Sequence, residues 1–220
     1  GADLPENWHV AGVLKPSTRP AVADVDGETR ASLAQPIGSA RLSERVRAGM
    51  KVALVIDDGS RPTPVHKLFP AVLEELKSGG IREEDITVVP ALGLHRPMSN
   101  DETAERLGRG GFKMAVHDAD SPDLAHLGTT SRGVPVDINP VVAAADFVVS
   151  IGCIEPHIIA SFGGGYKNIV PGVAGRATIA KNHTLNCRPD TFNMVGQPIE
   201  RNPMRLDLEE AAKMLKPPVF

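Results

Sequence analysis

The chain has 220 residues, enough for one large domain or two small ones. With 41% hydrophobic residues, 23% charged residues and a net charge of −3, it has an ordinary globular composition, without the polybasic surface of a nucleic-acid binder or an acidic tail. Aromatic residues at 4% argue against a base-stacking platform, and no run of about 18 apolar residues marks a membrane span.

Residues 1–48 carry scattered proline and charge with no clear period and read as an N-terminal arm with one or two short strands. Gly1, with no Met before it, reads as a processed end or a cloning scar. Leu42 and Val46 at helical spacing predict a helix within residues 37–48. Val52-Ala53-Leu54-Val55-Ile56 is a continuous apolar run, as expected for a strand buried on both faces. Thr63-Pro64 predicts a helix start. Val65, Leu68, Phe69, Val72, Leu73 and Leu76 then trace one helix face up to Gly79-Gly80, with Pro70 expected to kink the helix. Ile86–Leu92 reads as a strand, and Ser99 with Glu102 forms a capping box for a helix through Leu107. Met114–Val116 predicts a short strand, Val134–Ile138 an edge or hairpin strand, Asn139-Pro140 a short helix, and Phe147–Ile151 another buried strand. A last helix is expected near Leu206–Leu215, followed by a linker at Lys216-Pro217-Pro218.

Strands alternating with helices imply an α/β fold with a doubly wound, mostly parallel sheet and helices on both faces. The expected organisation is an arm (1–48), an α/β cofactor-binding and catalytic domain (49–205), and a helix with the start of a linker to a missing second domain (206–220). Cys153 and Cys187 are too few for a disulfide framework and form no C-x-x-C pair. They read as thiols of a reducing compartment, and no signal peptide is visible, so a cytoplasmic location is expected.

Ligands of open α/β sheets bind outside the carboxyl ends of the strands. Four strand ends here present ionisable groups: Asp57, Asp58 and Arg61; His95 and Arg96; His117 and Asp118; Glu155 and His157. Taken singly, each has a bland reading as a surface ion pair, turn cap or satisfied histidine. Their convergence on one rim is the informative signal. His9, His66 and His126 stand at no strand end and read as structural or surface residues. Gly163-Gly164-Gly165 lets main-chain N–H groups approach an anion, and Lys167 behind it can reach a phosphate or act as a nucleophile. The spacing is neither a P-loop nor a dinucleotide fingerprint. No metal-ligand spacing or G-x-S-x-G elbow is present.

Asp58-Gly59-Ser60-Arg61-Pro62, Gly93-Leu94-His95-Arg96-Pro97, Glu155-Pro156-His157, the Gly-Gly-Tyr166-Lys167 loop with Pro171-Gly172, and Asn182-His183 stand in one order across roughly residues 50–190. In that order they resemble the nickel-pincer lactate racemase family. The resemblance implies an isomerase that racemises or epimerises a 2-hydroxy acid. Its cofactor is a nickel-pincer nucleotide, a pyridinium mononucleotide with two sulfur-containing arms. In the family the nickel is held by two sulfurs, a ring carbon and one histidine, here His183, and one arm is joined to a lysine, here Lys167. Soft sulfur donors with an imidazole suit square-planar Ni(II). The two acid/base histidines of the family correspond to His95 and His157, one for each face of the substrate. One takes the hydroxyl proton while the α-hydrogen leaves as hydride to the cofactor. Asp58, Gly59, Ser60 and Arg61 match the cofactor-contact motif, with Arg61 expected to be oriented by Asp58. The sequence departs from the family at Ser60, where threonine is frequent, at Gly163, where serine is frequent, and in having half the family's length. The partners implied are a small-molecule substrate and a second domain or partner chain, with no nucleic acid and no membrane. Two further readings stay open: a non-catalytic cofactor-binding module of a split protein, and a zinc-dependent hydrolase.

Overall fold

The computed structural model describes residues 5, 7–13, 15, 20–216 and 219–220. In chain order it contains α1 (Val25–Ala34), α2 (Leu42–Arg45), β1 (Val52–Asp57), α3 (Val65–Ser78), β2 (Ile86–Ala91), α4 (Asn100–Leu107), β3 (Lys113–Met114), β4 (Ala125–Thr129) and β5 (Pro135–Ile138). Beyond these lie α5 (Pro140–Ala143), β6 (Phe147–Ile151), β7 (Pro156–His157), β8 (Ser161–Phe162), α6 (Arg176–Thr184) and α7 (Pro203–Ala212).

Four strands form a parallel sheet in the order β3-β2-β1-β6. All six residues of β1 are buried, because both faces of the sheet are covered. Val52, Leu54 and Ile56 face a core shared with Phe69, Val72 and Leu76 of α3 and Leu33 of α1. Ala53 and Val55 face a second core with Val142 of α5, Ile179 of α6 and Leu208 of α7. This is the doubly wound α/β arrangement expected from the apolar runs. From β1 the chain builds outward through β2 to β3, then returns to lay β6 on the other side of β1. The β1/β6 seam is therefore the topological switch point, where a crevice opens at the carboxyl ends of the strands.

Several local expectations are corrected. Among the described residues, 1–48 contain α1 and α2 and no strand. Asp24 caps α1 by accepting from Gly27 N at 2.9 Å, and Asp26 and Glu28 occupy its first turn, but only Leu33 is buried, so the helix has little apolar period to read. The helix expected within 37–48 shortens to α2, because Val46 turns extended and buries its side chain. Thr63 does not cap α3; its hydroxyl donates to Asp57, and the helix starts one residue later behind Pro64. Pro70 sits inside α3 on its exposed side, and the helix runs on to Ser78. The capping box at Ser99 and Glu102 forms as expected. β4 and β5 form an antiparallel hairpin beside the main sheet. α7 begins at Pro203, behind an Asn202 cap. Pro217 and Pro218 of the expected linker, and Gly1, lie outside the described residues. Val219–Phe220 lie along the outer edge of β6, with Ser150 N donating to Phe220 O at 2.8 Å. No helix among the described residues is long and apolar enough to cross a membrane.

Candidate active site at the strand carboxyl ends

A cavity of about 300 Å³ opens at the β1/β6 seam. Asp58, Arg61, His95, His157, Lys167 and His183 all line it. Gly59 and Ser60 line an adjoining polar depression that shares Asp58 and His95. The fourth strand end does not contribute. β3 is only two residues long, and His117 beyond it is buried away from the cavity with Nε2 donating to Ala174 O at 3.1 Å. His126 pairs with Asp137 at the surface, and His66 and His9 are exposed.

The turn after β1 is organised around two buried carboxylates. Asp58 Oδ1 accepts from Ser60 N at 3.0 Å and Ser60 Oγ at 2.6 Å, and its Oδ2 meets His95 Nδ1 at 2.5 Å. Burial pushes the Asp58 carboxyl up, but the hydrogen bonds from Ser60 and His95 outweigh it and hold the group below the usual carboxylate range. A carboxylate on Nδ1 fixes the proton there and leaves Nε2 of His95 as a lone pair, on a side chain that stays 55% exposed at the cavity mouth. With its carboxylate filled, Asp58 does not orient Arg61. The expected pairing is corrected: Arg61 Nη1 meets Glu155 Oε1 at 2.5 Å, across the seam. Asp57, one of the ionisable groups at this strand end, accepts from Thr63 Oγ1 and Arg106 Nη2, while Arg106 Nε donates to its main-chain oxygen at 2.6 Å. This clamp from α4 fixes the turn that carries Asp58 and Arg61.

On the other side of the seam, β7 carries His157. Its Nδ1 accepts from Ile159 N at 3.3 Å and Ala160 N at 3.1 Å, so the neutral ring holds its proton on Nε2. Burial first, then the positive charges of Lys167 and Arg61, bring its pKa down to about 4. His183, on α6, donates Nδ1–H to Ile179 O at 2.8 Å, one turn back, and burial keeps the ring neutral. Its Nε2 is then a free lone pair, the form in which an imidazole ligates a metal.

Lys167 sits in a short 3₁₀ turn, Gly165–Asn168. Burial first, then Arg61 and Arg205, bring its pKa down to about 8 against the opposing pull of Glu155. At pH 7 about one such amine in ten is neutral, against about one in three thousand for an ordinary lysine, so this amine is primed as a nucleophile. Gly164 precedes the turn at φ +71°, ψ −174°, and a Cβ there would stand 2.7 Å from Cys153 O, so only glycine closes the loop.

Among the described residues, no group of three His, Cys, Asp or Glu side chains is arranged to hold a metal ion. The cavity offers an imidazole lone pair at His183, a second at its mouth on His95, and one primed amine at Lys167. That donor set fits a metal whose other ligands arrive on an organic group attached to the amine. A protein-only zinc site would need three such ligands together, and the described residues do not assemble them.

A parallel α/β domain with histidines, an arginine and a primed lysine at its switch point belongs to the class of ligand-binding domains built around a strand-end crevice. Residues 2–193 match the lactate racemase N-terminal domain, and the chain belongs to that family. It is 29% identical over 217 residues to the lactate racemase of Thermoanaerobacterium thermosaccharolyticum, covering 96% of this chain and 50% of that one. It is 34% identical over 157 residues to the lactate racemase of Lactiplantibacillus plantarum, covering 70% of this chain and 37% of that one. The structure of the Thermoanaerobacterium lactate racemase apoprotein superimposes with a TM-score of 0.77, covering 88% of this chain and 47% of that one at 29% identity. A Thermotoga maritima protein shares the fold at 20% identity, with a TM-score of 0.67 over 88% of this chain and 48% of that one. The chain thus spans half or less of the curated relatives it matches.

Proposed function

We propose that this chain is the cofactor-binding half of an isomerase that racemises or epimerises a small 2-hydroxy acid, with a nickel-pincer nucleotide as cofactor. The observation that carries the reading is that His95, His157, Lys167 and His183 line one cavity of about 300 Å³. Lys167 would carry the covalent link to the cofactor and His183 Nε2 would ligate the nickel. When bound, the cofactor supplies the acceptor for the substrate's α-hydrogen as hydride. The chain's own residues handle the rest. His95 takes the hydroxyl proton at Nε2, because Asp58 fixes the opposite nitrogen as the donor. His157 serves the other face of the same centre. Arg61 supplies a positive charge for the substrate carboxylate or a cofactor phosphate. Asp58, Gly59, Ser60 and Arg61 form the turn that borders the bound group.

The reading is tested on protein produced with the cofactor. Nickel in equimolar amount and an added mass on Lys167 are expected. His183→Ala should lose the metal, whereas His95→Ala should keep it and lose turnover. Zinc without an adduct would favour the hydrolase reading instead, and full turnover by His95→Ala would end the two-histidine mechanism.

The share of the relatives that the chain covers favours a second reading, a module that binds cofactor and needs the rest of the protein, or a partner chain, for turnover. Racemisation by this chain alone would count against it. The two cysteines are free, which suits the cytoplasmic location we propose.

A further inference from the structure

Asn202 is fully buried and its amide is used to capacity. Oδ1 accepts from Arg205 N at 3.0 Å, which caps α7, and from Asn186 Nδ2 at 2.9 Å. Nδ2 donates to Ile159 O and to Ser161 Oγ, both at 2.9 Å. Two acceptances and two donations exhaust the group. A helix cap needs only the oxygen, and aspartate or serine would cap as well. The two donations go into the turn that joins β7 to β8.

That turn carries His157. Its Ile159 and Ala160 N–H groups are the two donors to Nδ1. It closes on Ser161, a buried residue at φ +65°, a left-handed backbone that serine adopts only when its surroundings impose it. Asn202 holds Ile159 by its carbonyl and Ser161 by its hydroxyl, one on each side of Ala160. Asn186 Nδ2, itself bonded to Asn202 Oδ1, shares the Ile159 carbonyl at 2.8 Å, so the atoms flanking the two N–H groups are held by Asn202 with Asn186 beside it.

We propose that Asn202 is a positioning residue for His157: by holding the 159–161 turn it fixes the imidazole in the tautomer that bears its proton on Nε2. The catalytic meaning of this inference rests on the racemase reading, while its physical content stands on the geometry. The two histidines then meet the substrate unequally. His95 offers a lone pair at Nε2, and His157 offers an N–H.

The test is ¹⁵N imidazole NMR on the 220-residue chain, with the His157 signals assigned through His157→Gln. In the wild type, Nδ1 should resonate as an unprotonated nitrogen and Nε2 as a protonated one. Asn202→Asp keeps the oxygen that caps α7 and removes both donations. It should shift the His157 pair toward an average of the two tautomers while leaving the His183 signals unmoved. An unchanged His157 pattern in folded Asn202→Asp, or a wild-type proton on Nδ1, overturns the proposal. Should Asn202→Asp fail to fold, Ser161→Gly removes one of the two donations at a backbone that glycine accepts. A smaller shift in the same direction is then expected, and no shift is equally fatal. None of these outcomes depends on turnover. Failure of the racemase reading would appear separately, as protein produced with the cofactor that carries neither nickel nor an adduct on Lys167, and full activity of cofactor-loaded His157→Gln would end only the catalytic role of His157.

Discussion

Arg61 and Glu155 meet at 2.5 Å across the cavity, tying the turn after β1 to the loop after β6. Both side chains are about one-third exposed, so the pair itself contributes only about 0–1 kcal/mol to stability. Its larger effect is on charge balance. Arg61 lowers the pKa values of Lys167 and His157, and Glu155 raises both. Glu155→Gln should therefore lower the Lys167 pKa below about 8, and Arg61→Gln should raise it. The pH dependence of Lys167 modification by an amine-selective reagent checks both directions. Equal profiles in the two variants would contradict the assignment.

Lys167 should also destabilise the fold. Its pKa is about 8 in the native state against an ordinary 10.5, so the unfolded chain binds more protons between those values. Stability is then expected to rise with pH from 8 to 10.5, and the penalty to be fully present below 8. Lys167→Met should gain about 1 kcal/mol at pH 7, a figure reduced for partial exposure, and should flatten the rise. Urea denaturation at pH 7 and pH 10 measures this, and a less stable variant at pH 7 would be the contrary result.

His157 gives the same case on the acid side. Its pKa falls from 6.5 to about 4, so the unfolded chain again takes up the extra proton. Its penalty is absent above pH 6.5, grows as the pH drops and is fully present below about 4. Denaturation midpoints across this window should fall more steeply for the wild type than for His157→Gln.

Gly164→Ala tests the loop. The φ, ψ pair of +71°, −174° is essentially closed to other residues, and the added Cβ would overlap Cys153 O. A loss of at least about 1–3 kcal/mol is expected, with Lys167 reactivity returning toward that of an ordinary amine. A variant as stable as the wild type would mean that the loop has another path.

The sheet was legible because β1 and β6, buried on both faces, write themselves as unbroken apolar runs. The cap of α4 was legible because Ser99 and Glu102 need no tertiary context. α6 was not, because it turns Thr178 and Asn182 inward along with Ile179, which erases its apolar stripe. Strand-end position found His95 and His157 but also suggested His117, since sequence does not say where a two-residue edge strand aims the residues beyond it. The partner of Arg61 was missed for a related reason. Asp58 is three residues away and Glu155 ninety-four, and the choice between them was made by Ser60 and His95 occupying Asp58 first. Asp57 stood out only as a strand-end carboxylate and Asn202 not at all, because the bonds that define their work, to Arg106 and to Ile159 and Ser161, reach groups distant in the chain.

Gly163 and Gly164 bring their backbone so close to Cys153 O that an added Cβ would lie 3.2 and 2.7 Å from it. At these two positions the crevice wall is made of peptide groups. A molecule resting against them meets amides and carbonyls there, so side-chain drift in ligand preference falls to the other lining residues, among them Leu94, His95, Glu155 and His157.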